Sequence, residues 1–323
     1  MFNKQETIDW LLDSDPSLRW RVERDLLGAP DSVWQQTKAQ VAVTGFGAKV
    51  LSYQDPDGQW AGGAYFPTRE EPRAMRREDG DKGQPYIATT WSLNELREFG
   101  VAAEALGDTA ARIDANSKWE YNDLPYWGGE VDCCINAFTL QNGIWLGLDM
   151  RANLEWFLEH QLEDGGWNCE WVNGDTRSSF HSTLNSLFGL LDYEQQVGAD
   201  QQVAQARKRA EEYLLDRRLM FKLSTNEPVG PWIHDLAYPF RWSYSIIRAL
   251  NYFRDSALFS GADPDPRIGE AAAWLASMSN ENGRWVTNDR LHGMVWVEVD
   301  GAIGEESKWL TFYALRALSW WHS

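Results

Sequence analysis

The stretches QDPDGQW (residues 54–60) and QLEDGGW (161–167) share one pattern: Gln, three residues, Gly, one residue, Trp. A third copy, SNENGRW (279–285), keeps the Gly and the Trp but has lost the Gln. Degenerate positions around residues 119–127 and 230–232 fall between them, so the underlying spacing is roughly 50 to 60 residues. That spacing gives five units, preceded by an N-terminal helical pair over 1–32. An Asn-Gly or Asp-Gly reversal suits these turns because glycine accepts the positive φ such a bend requires.

Each unit reads alike on either side of its turn. Before it stands an amphipathic helix: over 200–217, Val203, Ala206, Ala210, Tyr213 and Leu214 make one face, and Gln, Lys, Arg and Glu fill the other. After it stands a helix apolar nearly all round, as in INAFTLQNGIWLGL (135–148) and WLTFYALRALSWW (309–321). Outer and inner helices in alternation build two concentric layers, an open solenoid or a closed ring. Closure is favoured, because the chain stops just after an inner-type helix that needs a neighbour to cover it.

Composition bounds the function. The 323 residues are 43% hydrophobic and 24% charged, a globular balance. No apolar run approaches the ~20 residues of a membrane-spanning helix. The opening MFNKQETIDWLLDS lacks a signal-peptide pattern, which predicts a cytoplasmic chain. A formal charge of -18 repels phosphate backbones, so nucleic acid is not an expected partner. Three cysteines, Cys133, Cys134 and Cys169, make no disulfide framework and read as buried thiols or ligands.

The Gln-x-x-x-Gly-x-Trp turns and the helix alternation resemble the terpenoid cyclase and protein prenyltransferase superfamily, which includes the squalene-hopene cyclases. The resemblance covers residues 33 to 321. It implies an all-α fold, an α/α toroid in one domain over 1–323, with a mostly apolar central cavity between the inner helices. If the inner helices all point the same way, their first turns gather at one mouth. Those turns hold Thr89, Thr90 and Trp91; Asp132, Cys133 and Cys134; Phe180, His181 and Ser182; Arg241, Trp242 and Tyr244; and Ser307, Lys308 and Trp309.

VDCCINAF (131–138) resembles the zinc-binding Asp-x-Cys stretch of prenyltransferase β chains, and SFHSTLNSLFGL (179–190) resembles their following histidine-bearing helix. The resemblance implies zinc on Asp132, Cys134 and His181, with a fourth position open as in catalytic sites or closed by Cys169. The plainer alternative makes Cys133 and Cys134 small core residues and His181 a hydrogen-bonded helix start. The Asp-x-Asp-Asp acid of protonating cyclases is absent, since the comparable stretch is Asp132-Cys-Cys-Ile, and there is no Asp-Asp-x-x-Asp cluster for magnesium.

Arg241 and Lys308 are candidates for an anionic substrate group, and Trp91, Trp242 and Trp309 for an aromatic lining. Tyr244, placed with Arg241 on an inner helix after Pro239, is a candidate proton donor. Two long segments break the regular spacing. One, 65–86, is charged and rich in Pro and Gly and reads as a lid. The other, 285–309, carries Val295, Val297 and Val299 in alternation and reads as a small β-hairpin, with His292 and Glu298 as acid/base candidates.

The expected function is therefore acid/base or metal-assisted cyclisation, rearrangement or transfer on a hydrophobic, isoprenoid-like small molecule. A noncatalytic lipid-binding or scaffold toroid is the rival, and a carbohydrate-active toroid comes third. Oligomeric state is left open.

Overall fold

A computed structural model describes residues 4–68 and 83–322. The fold is all-α with one minute sheet. In chain order the helices are α1 (Lys4–Leu12), α2 (Pro16–Arg21), α3 (Asp31–Gln40), α4 (Gly45–Leu51), α5 (Thr89–Phe99), α6 (Thr109–Asn116) and α7 (Cys133–Trp145). There follow α8 (Arg151–Glu159), α9 (Phe180–Gln196), α10 (Gln201–Leu215), α11 (Ile246–Ser260), α12 (Gly269–Ser277) and α13 (Lys308–Trp321). Strands β1 (Trp285–Val286) and β2 (Glu306–Ser307) pair antiparallel.

The repeated turns explain the layering. In each, the glycine N–H donates to the carbonyl three residues back, that of Asp55, Leu162 or Asn280. The glycines take φ of 89°, 102° and 69°. A Cβ on Gly165 would meet the Arg209 carbonyl oxygen at 2.6 Å, so the outer helix leaves no room for another residue. The tryptophan then joins two helices. The indole nitrogens of Trp60, Trp167 and Trp285 donate back to the carbonyls of Val50, Phe157 and Leu275 at 2.9, 3.0 and 2.9 Å. Their backbone N–H groups donate forward to Thr89, Thr183 and Thr311 at the start of the next inner helix, at 3.2, 3.1 and 3.0 Å. Each tryptophan is a brace between layers.

Helices α5, α7, α9, α11 and α13 pack side by side in that order, with α12, α10 and α8 against them from outside. The ring closes through the N-terminal pair. The wider turn 22–26 that continues α2 packs on α13, α2 packs on α5, and Trp20 Nε1 donates to the Phe99 carbonyl at 2.9 Å. The 1–32 pair thus supplies the neighbour that the last inner helix requires. The inner helices run parallel: Arg97, near the end of α5, reaches Gln141 near the end of α7 at 3.0 Å and Asp192 on α9 at 3.3 Å. Arg316, near the end of α13, reaches Asp255 on α11 at 2.7 Å. Among the described residues no helix is long and apolar enough to cross a membrane.

Two local expectations change. Residues 239–245 are not helical; α11 begins at Ile246, capped by the Ser245 hydroxyl, which accepts from the Arg248 N–H. Arg241, Trp242 and Tyr244 therefore lie on the approach to the helix, and Arg241 has a left-handed φ of 52°. The small β-hairpin expected in 285–309 is present, formed by its two ends, β1 and β2, but the valines lie outside it. Val295, Trp296 and Val297 are all buried, so the valine alternation marks a buried loop and not a strand. The lid expected over 65–86 falls largely on residues 69–82, outside the described residues.

Candidate metal and anion centres

Asp132 is the N-cap of α7. Its Oδ1 accepts from the Cys134 N–H at 2.7 Å and the Ile135 N–H at 3.2 Å. This cap aims the two adjacent cysteines apart: Cys133 enters the main core, and Cys134 turns to a separate cluster at the mouth. Cys169, on the short 169–173 turn just past the Gly-Trp brace, comes down on the same spot. Its Sγ lies 2.8 Å from Asp132 Oδ1, 3.4 Å from Cys134 Sγ and 3.2 Å from Ser182 Oγ. The ligand atoms of Asp132, Cys134 and Cys169 all lie within 4.8 Å of one another, as a metal ion would require.

Three ionisable groups crowd one another at this point. Burial and the adjoining Cys169 sulfur push Asp132 up to about 8. Hydrogen bonding with Cys133, Cys134, Asp132 and Ser182 pulls Cys169 down from the usual thiol range, while contact with Cys169 and burial push Cys134 up. Asp132 Oδ1 and Cys169 Sγ, 2.8 Å apart, are joined by a hydrogen bond. Two carboxylate or thiolate charges this close and this buried ask for a cation or a proton between them.

An aromatic wall stands beside the sulfur atoms. Trp91 meets Tyr65 at 4.7 Å, Tyr86 edge-on at 4.9 Å and Phe138 at 5.6 Å, and Trp242 packs on the same cluster. Val295 reaches it from the 285–309 segment, which does approach this mouth.

The other expected residues divide. His181 falls outside the cluster of ligand atoms: its Nδ1 accepts the Tyr244 N–H at 2.8 Å, and burial with the nearby Arg248 guanidinium lowers its pKa to about 4. It is a neutral acceptor that fastens the 239–245 approach to α9. Tyr244 is 1% exposed and donates its hydroxyl to the Leu219 carbonyl at 2.8 Å, away from the mouth. Lys308 donates to the Asp13 carbonyl and so faces the N-terminal segment and not the ring centre. Trp309 stands behind the wall, stacked on Tyr238 at 4.6 Å. Glu298 is paired with Arg290 at 2.6 Å, and the His292 backbone packs on Gly83.

Below the aromatic wall lies the central cavity, about 290 Å³. It is not apolar. Five arginines and four carboxylates line it, a surplus of one positive charge in a chain of net charge -18. Three of the arginines are neutralised: Arg241 by Glu95 at 2.6 Å, Arg97 by Asp192 at 3.3 Å and Arg316 by Asp255 at 2.7 Å. Glu98, the fourth acid, accepts from the Tyr313 hydroxyl. Among the described residues Arg21 and Arg248 have no carboxylate within ion-pair distance.

Arg248 and Asn185 were the residues that motif reasoning passed over. Arg248 sits in the apolar run SIIRAL and Asn185 in STLNSL, and a lone polar residue on an inner helix was the available signal. Asn185 joins the two centres, donating to Cys134 Sγ at 3.3 Å and accepting from Arg248 Nη2 at 2.7 Å. No family model and no curated protein matches this chain.

Proposed function

We propose that the protein is a zinc-thiolate enzyme on an α/α toroid, carrying out metal-assisted transfer or rearrangement on a small molecule held at the aromatic mouth. The observation that carries this is the meeting of Asp132, Cys134 and Cys169, from two chain segments, within 4.8 Å. The donor set fits. A tetrahedral site with Zn–S near 2.3 Å and Zn–O near 2.1 Å spaces sulfurs about 3.8 Å apart and sulfur from oxygen about 3.5 Å. The separations of 3.4 and 2.8 Å need open by less than about 1 Å.

When bound, zinc supplies Lewis acidity and keeps a ligand thiolate or water deprotonated near neutral pH. The chain's own residues do the rest. Asp132 holds its carboxylate by accepting two helix N–H groups, Asn185 donates to the Cys134 sulfur, and Ser182 sits against the Cys169 sulfur. Trp91, Tyr86 and Phe138 shield this centre from water and offer an apolar surface to the substrate. The resemblance to terpenoid cyclases and prenyltransferases supports the toroid frame, with His181 replaced by Cys169 in the ligand set.

Elemental analysis of protein purified without a metal-affinity step tests the reading. About one zinc per chain is expected, falling sharply in Cys134→Ser and Cys169→Ser and unchanged in His181→Gln. Less than about a tenth of an equivalent, with no uptake on titration, would end it.

A further inference from the structure

The cysteines occupy the mouth; the ring centre has a chemistry of its own. Its cavity of about 290 Å³ equals about ten water volumes, room for a compact metabolite. Among the described residues two hydrogen-bond donors in its wall, on Arg21 and Tyr238, stand without an acceptor, and a third group, Arg248, has acceptors but no carboxylate. Arg248 spends Nη1 on the Ser243 carbonyl at 2.9 Å and Nη2 on Asn185 Oδ1 at 2.7 Å, both neutral groups, and its guanidinium lies 5.1 Å over the Phe188 ring. Among the described residues no ion pair compensates its charge. Arg21 gives an Nη2 bond to the Glu98 carbonyl, while its buried Nε has no partner. Tyr238 is 3% exposed, and its hydroxyl, also buried, is unpartnered.

These donors converge. Arg21, Arg248 and Tyr238 all lie within electrostatic reach of both Glu98 and Tyr313. A buried phenol and a buried guanidinium nitrogen each forfeit a hydrogen bond if nothing enters, and a desolvated arginine forfeits its counter-charge. Glu98, which accepts from the Tyr313 hydroxyl, is the carboxylate they share, so two guanidiniums and a phenol face one acid, a surplus of donors and of positive charge that an anion's oxygens complement. It does not suit an isoprenoid tail.

We propose that the central cavity binds a compact organic oxyanion, a carboxylate or phosphate ester, whose oxygens accept from Arg248, from Arg21 Nε and from the Tyr238 hydroxyl. The site stands whether or not the mouth holds a metal.

Calorimetric and thermal-shift titrations of the full chain test it, using inorganic phosphate and malonate as probes against chloride at equal ionic strength, with and without a chelator. At least one probe is expected to bind and raise Tm by a few degrees, equally in chelated protein. Arg248→Gln should weaken binding about tenfold or more, and Tyr238→Phe, which keeps the ring stacked on Trp309, several-fold. Preference for phosphate or for malonate identifies the class. The proposal is overturned if neither probe binds better than chloride, or if both variants bind as the parent does. Should Arg248→Gln fail to fold, Tyr238→Phe alone decides.

Discussion

Arg248 Nη2 donates to Asn185 Oδ1 at 2.7 Å, and the other end of the same carboxamide donates to Cys134 Sγ at 3.3 Å and to the Trp242 carbonyl at 2.9 Å. One asparagine therefore fixes a guanidinium below it and a sulfur above it. Asn185→Ala should destabilise the protein by about 2–3 kcal/mol, because it strands a charged donor in a buried place. Urea unfolding measures this. A loss below about 0.5 kcal/mol, the level of an ordinary surface change, would mean that the bridge is not formed.

The Gly-Trp turns lead to a comparison across the repeat. Trp60, Trp167 and Trp285 have equivalent partners in front and behind, so replacing each with Phe should remove the same indole bond from a buried carbonyl. Each change should cost about 1–3 kcal/mol, and the three should agree more closely with one another than with Trp34→Phe, whose indole makes an exposed bond to Asp31. Differential scanning calorimetry of the four variants checks this. A scatter as wide as the mean would show that the turns are not equivalent.

These turns were legible because everything that shapes them is local or recurs: a glycine at positive φ, a tryptophan two residues on, and a helix on either side. The starts of α5, α7, α9 and α13 followed from them. The start of α11 did not. Pro239 looks like a first helical residue, but Arg241 is drawn to Glu95, 146 positions away by subtraction of their numbers, and the chain turns at 240–243, where the Ser243 N–H donates to the Phe240 carbonyl, before the helix begins. The valines of 295–299 misled for a related reason. Trp296, between two of them, is buried by a partner from the far end of the chain, donating to Ser92 Oγ at 2.9 Å and stacking on Tyr53 at 4.5 Å. The charged groups of the cavity were hidden likewise: Arg97, Asp192, Arg248 and Arg316 meet their partners on other helices of the ring, so nothing in their own stretches announces a shared wall. Cys169 was nameable from its place after the turn, whereas His181 looked equally suitable until its ring was seen to be used by the Tyr244 N–H.

That use of His181 makes stability depend on pH. Its pKa is lowered to about 4 in the fold from about 6.5 when unfolded, so the unfolded chain binds the extra proton first. Its contribution is present above about pH 6.5 and is lost as pH falls toward 4. In chelated protein the unfolding free energy of the parent should fall across that window by at most about 3 kcal/mol more than that of His181→Gln. Parallel curves for the two proteins would place the titration elsewhere.

Arg241 was expected to hold a substrate anion, and its ion pair with Glu95 argues that its charge is already spent. The two side chains are 4% and 5% exposed, 2.6 Å apart, and the guanidinium also lies 4.4 Å over the Tyr86 ring. Breaking a buried pair from one side leaves the other charge uncompensated, so Glu95→Gln and Arg241→Met should each cost about 3–5 kcal/mol. The double variant should cost much less than their sum, with a coupling of about 2 kcal/mol or more. Glu95→Gln should also tighten phosphate or malonate binding in the cavity, since it frees a third guanidinium there, whereas Arg241→Met should weaken it by leaving the Glu95 carboxylate bare, and the double variant, which removes both charges, should bind nearly as the parent does. Additive stability losses, or an anion affinity that collapses in the double variant, would return Arg241 to the role of anion anchor and remove it from the wall's internal pairing.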